Sequence, residues 1–164
     1  METFESIARR ASVREYSSKA VPKALIEKLV DAGRRAPTAR AVEPWEFVVV
    51  SDKKTLEKLA ELAENGRFIK GSSCAIAVFC KETKYYLEDG SAATENILLA
   101  AADLGLGACW VAGDKKPYAD DVARLLKAPA GTRLISILPI GWPASEARQA
   151  KNRPLEEVIH WERF

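Results

Sequence analysis

The sequence predicts one layered domain in which helices pack on a central sheet, and three observations lead there. Ser91–Val111, SAATENILLAAADLGLGACWV, is the longest nearly uninterrupted apolar segment, so it reads as a core helix buried on most of its surface. Three short runs, EFVVV (Glu46–Val50), CAIAVFC (Cys74–Cys80) and LISILPI (Leu134–Ile140), read as buried strands. Helical periodicity fills the intervals between them. Taken alone, that alternation suggests a parallel, doubly wound sheet, although periodicity cannot fix strand direction. A chain of 164 residues is long enough for one such domain with a real core.

The elements follow in order. Phe4, Ile7 and Ala8 have helical spacing and lead into RRASVREY (Arg9–Tyr16), where three arginines within six residues make a local positive site. Pro22 suits a helix start, and Leu25, Ile26, Leu29, Val30 and Gly33 make an amphipathic helix that Pro37 stops. A loop with two prolines then enters the first strand at Trp45. Ser51 or Asp52 caps a helix through Leu56, Leu59, Ala60, Leu62 and Ala63, and Asn65-Gly66 ends it. Lys81 to Gly90 reads as polar connection, with Tyr85 and Tyr86 as rim or surface. Gly105 and Gly107 fit a helix end needing left-handed backbone, and Ala108–Ala112 a short buried strand centred on Trp110. Tyr118–Lys127 reads as a short helix. From Ala144 the chain turns charged and irregular, yet Leu155, Val158, Ile159, Trp161 and Phe164 need burial. A second subunit would provide it.

Charge and composition exclude several classes. With 25 basic against 23 acidic residues, a net charge of +2 gives no reason to expect nucleic-acid or membrane-surface binding. The core segment is too short and too polar to span a bilayer, which takes about 20 apolar residues. The N-terminal METFESIARR has charges where an export signal needs an apolar stretch, so no export is expected. Cys74, Cys80 and Cys109 lack metal or redox-pair spacing and suit buried, reduced thiols in the cytoplasm. One histidine, His160, cannot build a zinc site, and no serine sits in a nucleophile elbow. Gly105-Leu106-Gly107 lacks the third glycine of a dinucleotide fingerprint and follows a helix instead of opening one. What remains is a chain poor in proton-transfer groups but supplied with arginines, glycine turns and tryptophans. That profile suits an anionic aromatic cofactor carrying the chemistry itself.

In order and at family spacing, RRASVREY, APTARAVEPWEFVV (Ala36–Val49), Asn96 through Trp110, Gly141-Trp142-Pro143 and KNRPLEEV (Lys151–Val158) resemble the FMN-dependent nitroreductase family over nearly the whole chain. The resemblance implies an α+β fold with a mixed or antiparallel sheet flanked by helices. It implies an intertwined homodimer with FMN at the interface, residues 144–164 of the single domain forming a tail on the partner subunit. It also implies NADH or NADPH as reductant and a small electron-poor acceptor, a nitroaromatic or quinone, in a ping-pong reaction through flavin N5. No side chain is implied as a catalytic acid or base.

By position, the resemblance assigns Arg10, Ser12 and Arg14, with Ala11 between them, to the flavin phosphate, ribityl and pyrimidine regions, and Lys151 and Arg153 to the phosphate. Arg14 would stabilise negative charge at the reduced pyrimidine edge. Trp110, Val111, Ala112 and Gly113 form the turn that brings backbone N–H groups toward N5. Two positions depart from the family pattern: Ala41 stands where it has Asn, and Glu43 where it has Gln. The loss of the Asn hydrogen bond is worth about 0.5 to 1.5 kcal/mol, at most roughly tenfold in affinity. The same departures also fit a dimer whose flavin site has loosened.

Overall fold

A computed structural model describes residues 2–149 and 153–164 of the chain. Five strands form one sheet: β1 (Trp45–Val50), β2 (Cys74–Lys81), β3 (Gly107–Ala108), β4 (Val111–Ala112) and β5 (Thr132–Gly141). The order is β1-β2-β5-β3, with β4 also on β5, and every strand pair is antiparallel. The parallel sheet suggested by alternation is therefore wrong, and the α+β architecture is right. Helices α2 (Lys23–Arg34) and α3 (Lys53–Leu62) flank β1 in sequence, and α4 (Tyr86–Asp103) carries the chain from β2 toward β3. The remaining helices are α1 (Thr3–Arg9) and α5 (Ala119–Leu125).

Strand β2 shows how the layers form. Cys74, Ile76, Val78 and Cys80 point into a core with Leu29 of α2 and Ile97, Leu98 and Ala101 of α4. Ala75, Ala77 and Phe79 point the other way, into a core with Leu56, Leu59 and Ala60 of α3 and Val122 of α5. Both faces are covered, so the strand is apolar throughout without alternating. Val78 pairs with Ser136 and Phe79 with Leu134, leaving Ile135 as the extra residue of a bulge. Strand β1 differs from its prediction as a buried strand. It pairs only with β2, Glu46 is exposed, and Val49 keeps 44% of its surface in solvent.

Several boundaries move for identifiable reasons. Asp52 caps α3 by accepting from the Thr55 N–H at 2.9 Å, but the helix closes at Leu62, ahead of Asn65-Gly66. A 3-10 turn, Arg67–Gly71, then fills what read as loop. Helix α4 begins at Tyr86, so the polar segment 86–90 is its first turn and not a connection. Buried Asp89 belongs to that turn. Of the two expected left-handed glycines only Gly105 has positive φ, at 71°. Gly107 is needed for a different reason: a Cβ there would lie 2.6 Å from Val13 Cγ1.

Candidate functional site

The site grows from the outer edge of β3 and β4. On this side of β5, the Gly113 N–H donates to Ile135 O at 2.9 Å, so the hydrogen-bonded pairs fall at 113, 111 and 107. The backbone groups of Ala108 and Ala112 must then point off the sheet edge. Both carbonyls bear this out. Ala108 O accepts from the Val13 N–H at 2.9 Å, and Ala112 O accepts from the Tyr118 hydroxyl. The N-terminal arm thus covers the edge at β3 and leaves it open at β4.

The arm is extended, so its residues alternate. Val13 is buried against Gly107, while Ser12 and Arg14 are exposed. Tyr16 fastens the arm by donating to Val13 O at 2.7 Å and Pro139 O at 3.2 Å. Burial holds its hydroxyl far above the usual phenol range, with nearby Cys109 adding to it. Arg14 lies 5.8 Å from the centre of the Phe68 ring. Burial raises the Cys109 thiol, and Arg14, a Ser12 hydrogen bond and Arg10 pull it back, so all three predicted arm residues gather around this cysteine. Arg10 sits 3.9 Å from Glu95 of α4, whose carboxyl is raised by half-burial and lowered in part by that arginine.

Beside β4 lies a cleft of about 220 Å³, lined by Arg14, Asn65, Phe68, Cys109–Ala112, Lys116 and Tyr118. Beyond the arm, a groove of about 700 Å³ runs over Leu98, Leu106 and Ala108, rimmed by Arg9, Arg10, Ala11 and Arg148. Arg10, Ala11, Ser12, Arg14, Trp110, Val111 and Ala112 are therefore brought to one edge. The predicted buried strand at 108–112 is instead two two-residue strands, with Trp110 between them and 38% exposed. The expectation for Gly113 fails, because its N–H is spent on Ile135. Of these two residues, Ala112 is the one whose N–H faces away from β5. Arg153 donates to Glu157 within the tail, and Lys151 lies outside the described residues.

Ala41 and Glu43 line neither cavity. They occupy a loop in which Arg40, Ala41 and Glu43 all have positive φ, at 57°, 53° and 48°. Asp89 holds that loop, accepting from Thr38 Oγ1 at 2.9 Å and from the Ala39 N–H at 3.0 Å, and Thr38 Oγ1 in turn accepts from the Glu43 N–H. Sequence reasoning missed Asn65, Phe68, Lys116 and Tyr118. Asn65 read as punctuation after α3, and nothing in the spacing marks the others, since they reach the cleft only through packing.

Comparisons with known proteins place the chain as a whole. The nitroreductase family model matches residues 7–71 and 81–142. A protein of Methanothermobacter thermautotrophicus named as a putative NADH dehydrogenase/NAD(P)H nitroreductase is 37% identical over 88% of this chain and 78% of its own. A crystal structure from Bacteroides thetaiotaomicron with the same name superposes with a TM-score of 0.94, at 33% identity, covering 99% of this chain and 98% of that one. An FMN-dependent nitroreductase of Clostridium difficile has a TM-score of 0.90 at 29% identity, covering 98% of this chain and 99% of its own. Sequence match and shared fold extend over nearly the whole length, and the chain belongs to the nitroreductase family.

Proposed function

We propose that the chain passes reducing equivalents from NADH or NADPH to a small electron-poor acceptor, such as a nitroaromatic or quinone, in ping-pong order. That the chain is an FMN-dependent NAD(P)H oxidoreductase is supported by the family and by relatives named as NAD(P)H and FMN-dependent nitroreductases. One observation carries the reading. Ala112, whose backbone N–H faces away from β5, two cations (Arg14 and Lys116) and Asn65 line a single cleft. This donor set fits FMN: N–H groups for ring heteroatoms, guanidinium for an electron-rich edge, and further arginines toward the groove for a phosphate.

When bound, FMN supplies the hydride acceptance and the onward electron transfer. The chain's own residues bind, orient and polarise. Arg10, with Ser12 and the tail residues Lys151 and Arg153, would hold the phosphate end. To do so Arg10 exchanges Glu95 for the phosphate, a stronger charge-assisted partner. Arg14, steadied over Phe68, would face the pyrimidine edge and stabilise negative charge there. Ala112 would give its N–H to N5, and Trp110 and Val111 would back the ring.

A cleft of about 220 Å³ falls short of the roughly 300–1,000 Å³ of a complete ligand pocket. The missing part is best supplied by a second copy in a homodimer. Ala41 and Glu43 lie away from their own cleft, and the tail exposes Leu155, Val158 and Trp161 to solvent. That tail, residues 144–164, would pack on the partner. Among the described residues no helix is long and apolar enough to cross a membrane. The three free, buried cysteines suit the cytoplasm.

The visible spectrum of the purified protein, before and after incubation with FMN and desalting, followed by anaerobic NADH or NADPH, tests the reading. Retained flavin that bleaches is the expected result. A colourless protein that takes up no FMN would overturn the enzyme and leave a non-catalytic dimer.

A further inference from the structure

The arginine that the phosphate end would use is already engaged in the free chain. Three arginines rim the groove beyond the arm, and each has an acid beside it. Arg9 has Glu5 at 3.5 Å, Arg148 has Glu146 at 3.6 Å, and Arg10 has Glu95 at 3.9 Å. The first two acids lie within a few residues of their arginines, and both pairs are largely exposed, so they part at little cost. Glu95 is different. It sits in the middle of α4, whose backbone is fixed in the core by Ile97, Leu98 and Ala101, and Leu98, one turn further on, lines the groove itself. Its carboxylate can turn but cannot leave.

The separation of 3.9 Å decides what this contact does. It is too long for a hydrogen bond, so Glu95 neither points the guanidinium nor uses up its N–H groups. What acts between them is charge. The side chains of Arg10 and Glu95 keep 29% and 46% of their surfaces exposed, so this pair is screened less than the other two. Half-burial makes the ionised carboxylate costly and raises its pKa, and Arg10 is the charge that offsets this. A phosphate arriving at Arg10 takes that compensation away and places a second anion beside the first.

We propose that Glu95 is a specificity residue of the cofactor site: as an internal anion competing with the flavin phosphate for Arg10, it weakens the binding of FMN and leaves that of a flavin without a phosphate untouched. The proposal rests on the flavin reading above, which puts the phosphate at Arg10, and goes beyond it by making the acid of the pair a determinant of which flavin is held. A ligand that lacks the phosphate leaves the Arg10–Glu95 pair intact and gains nothing from its removal. Binding FMN requires breaking it. Glu95 therefore narrows the advantage of the phosphorylated flavin.

The test compares wild type with Glu95→Gln, which keeps the size and removes the charge, in the binding of FMN and of riboflavin at low and high salt. The dissociation constant for FMN should fall about two- to fivefold, the worth of one partly exposed charge pair, while that for riboflavin stays at the wild-type value. The difference for FMN should vanish at about 1 M salt, where the Debye length is about 3 Å, whereas a structural role would survive there. Glu95→Ala should show the same selective gain, which rules out a hydrogen bond from the new amide as its source. In the apo protein, titration with inorganic phosphate, followed by NMR through the Arg10 Nε–H, should reach half-saturation at a lower phosphate concentration in both variants.

An FMN affinity in Glu95→Gln equal to that of wild type would overturn the proposal. So would weaker FMN binding, which would make Glu95 a support for Arg10, or a riboflavin affinity that rises equally. Failure of wild type to bind either flavin would instead defeat the functional reading, and the phosphate titration would still decide whether Glu95 competes for Arg10.

Discussion

Ala41 shows how one residue carries a conformational debt. Its φ of 53° is left-handed, where a Cβ is disfavoured and where Asn is the best-tolerated residue after glycine. The Asn of the family pattern thus fits this position twice, as a donor and as a backbone type. Ala41→Asn should raise the melting temperature and tighten FMN binding up to roughly tenfold. Ala41→Gly relieves the strain without a donor, so it should leave affinity unchanged, and titration of both variants with FMN separates the two effects. Gly113 is constrained by space. A Cβ would stand 2.5 Å from Leu134 Cγ and 3.0 Å from the Ile135 backbone. Gly113→Ala should destabilise the fold by about 1–3 kcal/mol in urea titration, because the backbone of β5 cannot give way as a flexible side chain would. Arginines, glycines and the Ala41 departure were visible in the sequence. That Gly113 spends its N–H on Ile135 was not, because the strand that receives it lies some twenty residues away.

At the scale of elements, the loop 38–43 hangs from α4 by one carboxylate. Asp89→Ala removes the acceptor of the Thr38 hydroxyl and the Ala39 N–H together, and should cost about 2–4 kcal/mol by leaving both donors unpaired. Strand β2 gives a prediction with pH. Burial pushes the thiol of Cys74 up to about 11, and burial reinforced by Asp89 pushes that of Cys80 up to about 12, from an ordinary value of 9.0. Above pH 9 the unfolded chain loses these protons while the folded chain keeps them, so the unfolded state binds fewer protons and stability falls as pH rises. The fall should span about pH 9 to 12 and shrink in Cys74→Ala and Cys80→Ala, as read from urea unfolding at several pH values. The strands and most helix cores were legible from period and composition. The start of α4 was not, because residues 86–90 are polar by sequence and are helical through packing against β5 and the loop they hold. A Cβ on Gly90, for instance, would stand 2.6 Å from Ile135 Cγ1.

At the scale of the whole molecule, the proposed second copy bears on the tail. Leu155 and Trp161 keep 69% and 78% of their surfaces exposed in the single chain, apolar surface that a second copy would cover. On the proposed homodimer, Leu155→Asp combined with Trp161→Asp should shift the protein from dimer toward monomer in sedimentation and lower FMN affinity in parallel, because a second copy is proposed to complete the cleft. The sequence by itself determined the layers, the arginine arm and the family, since these depend on local chemistry: apolar runs, helical period and motif residues at fixed spacing. Tertiary structure alone decided strand direction, the exposure of β1 and Trp110, and which of Ala112 and Gly113 turns its N–H away from β5. Each of these depends on which backbone group faces which neighbour, and that pairing is set by distant strands meeting in space, information that no local pattern contains.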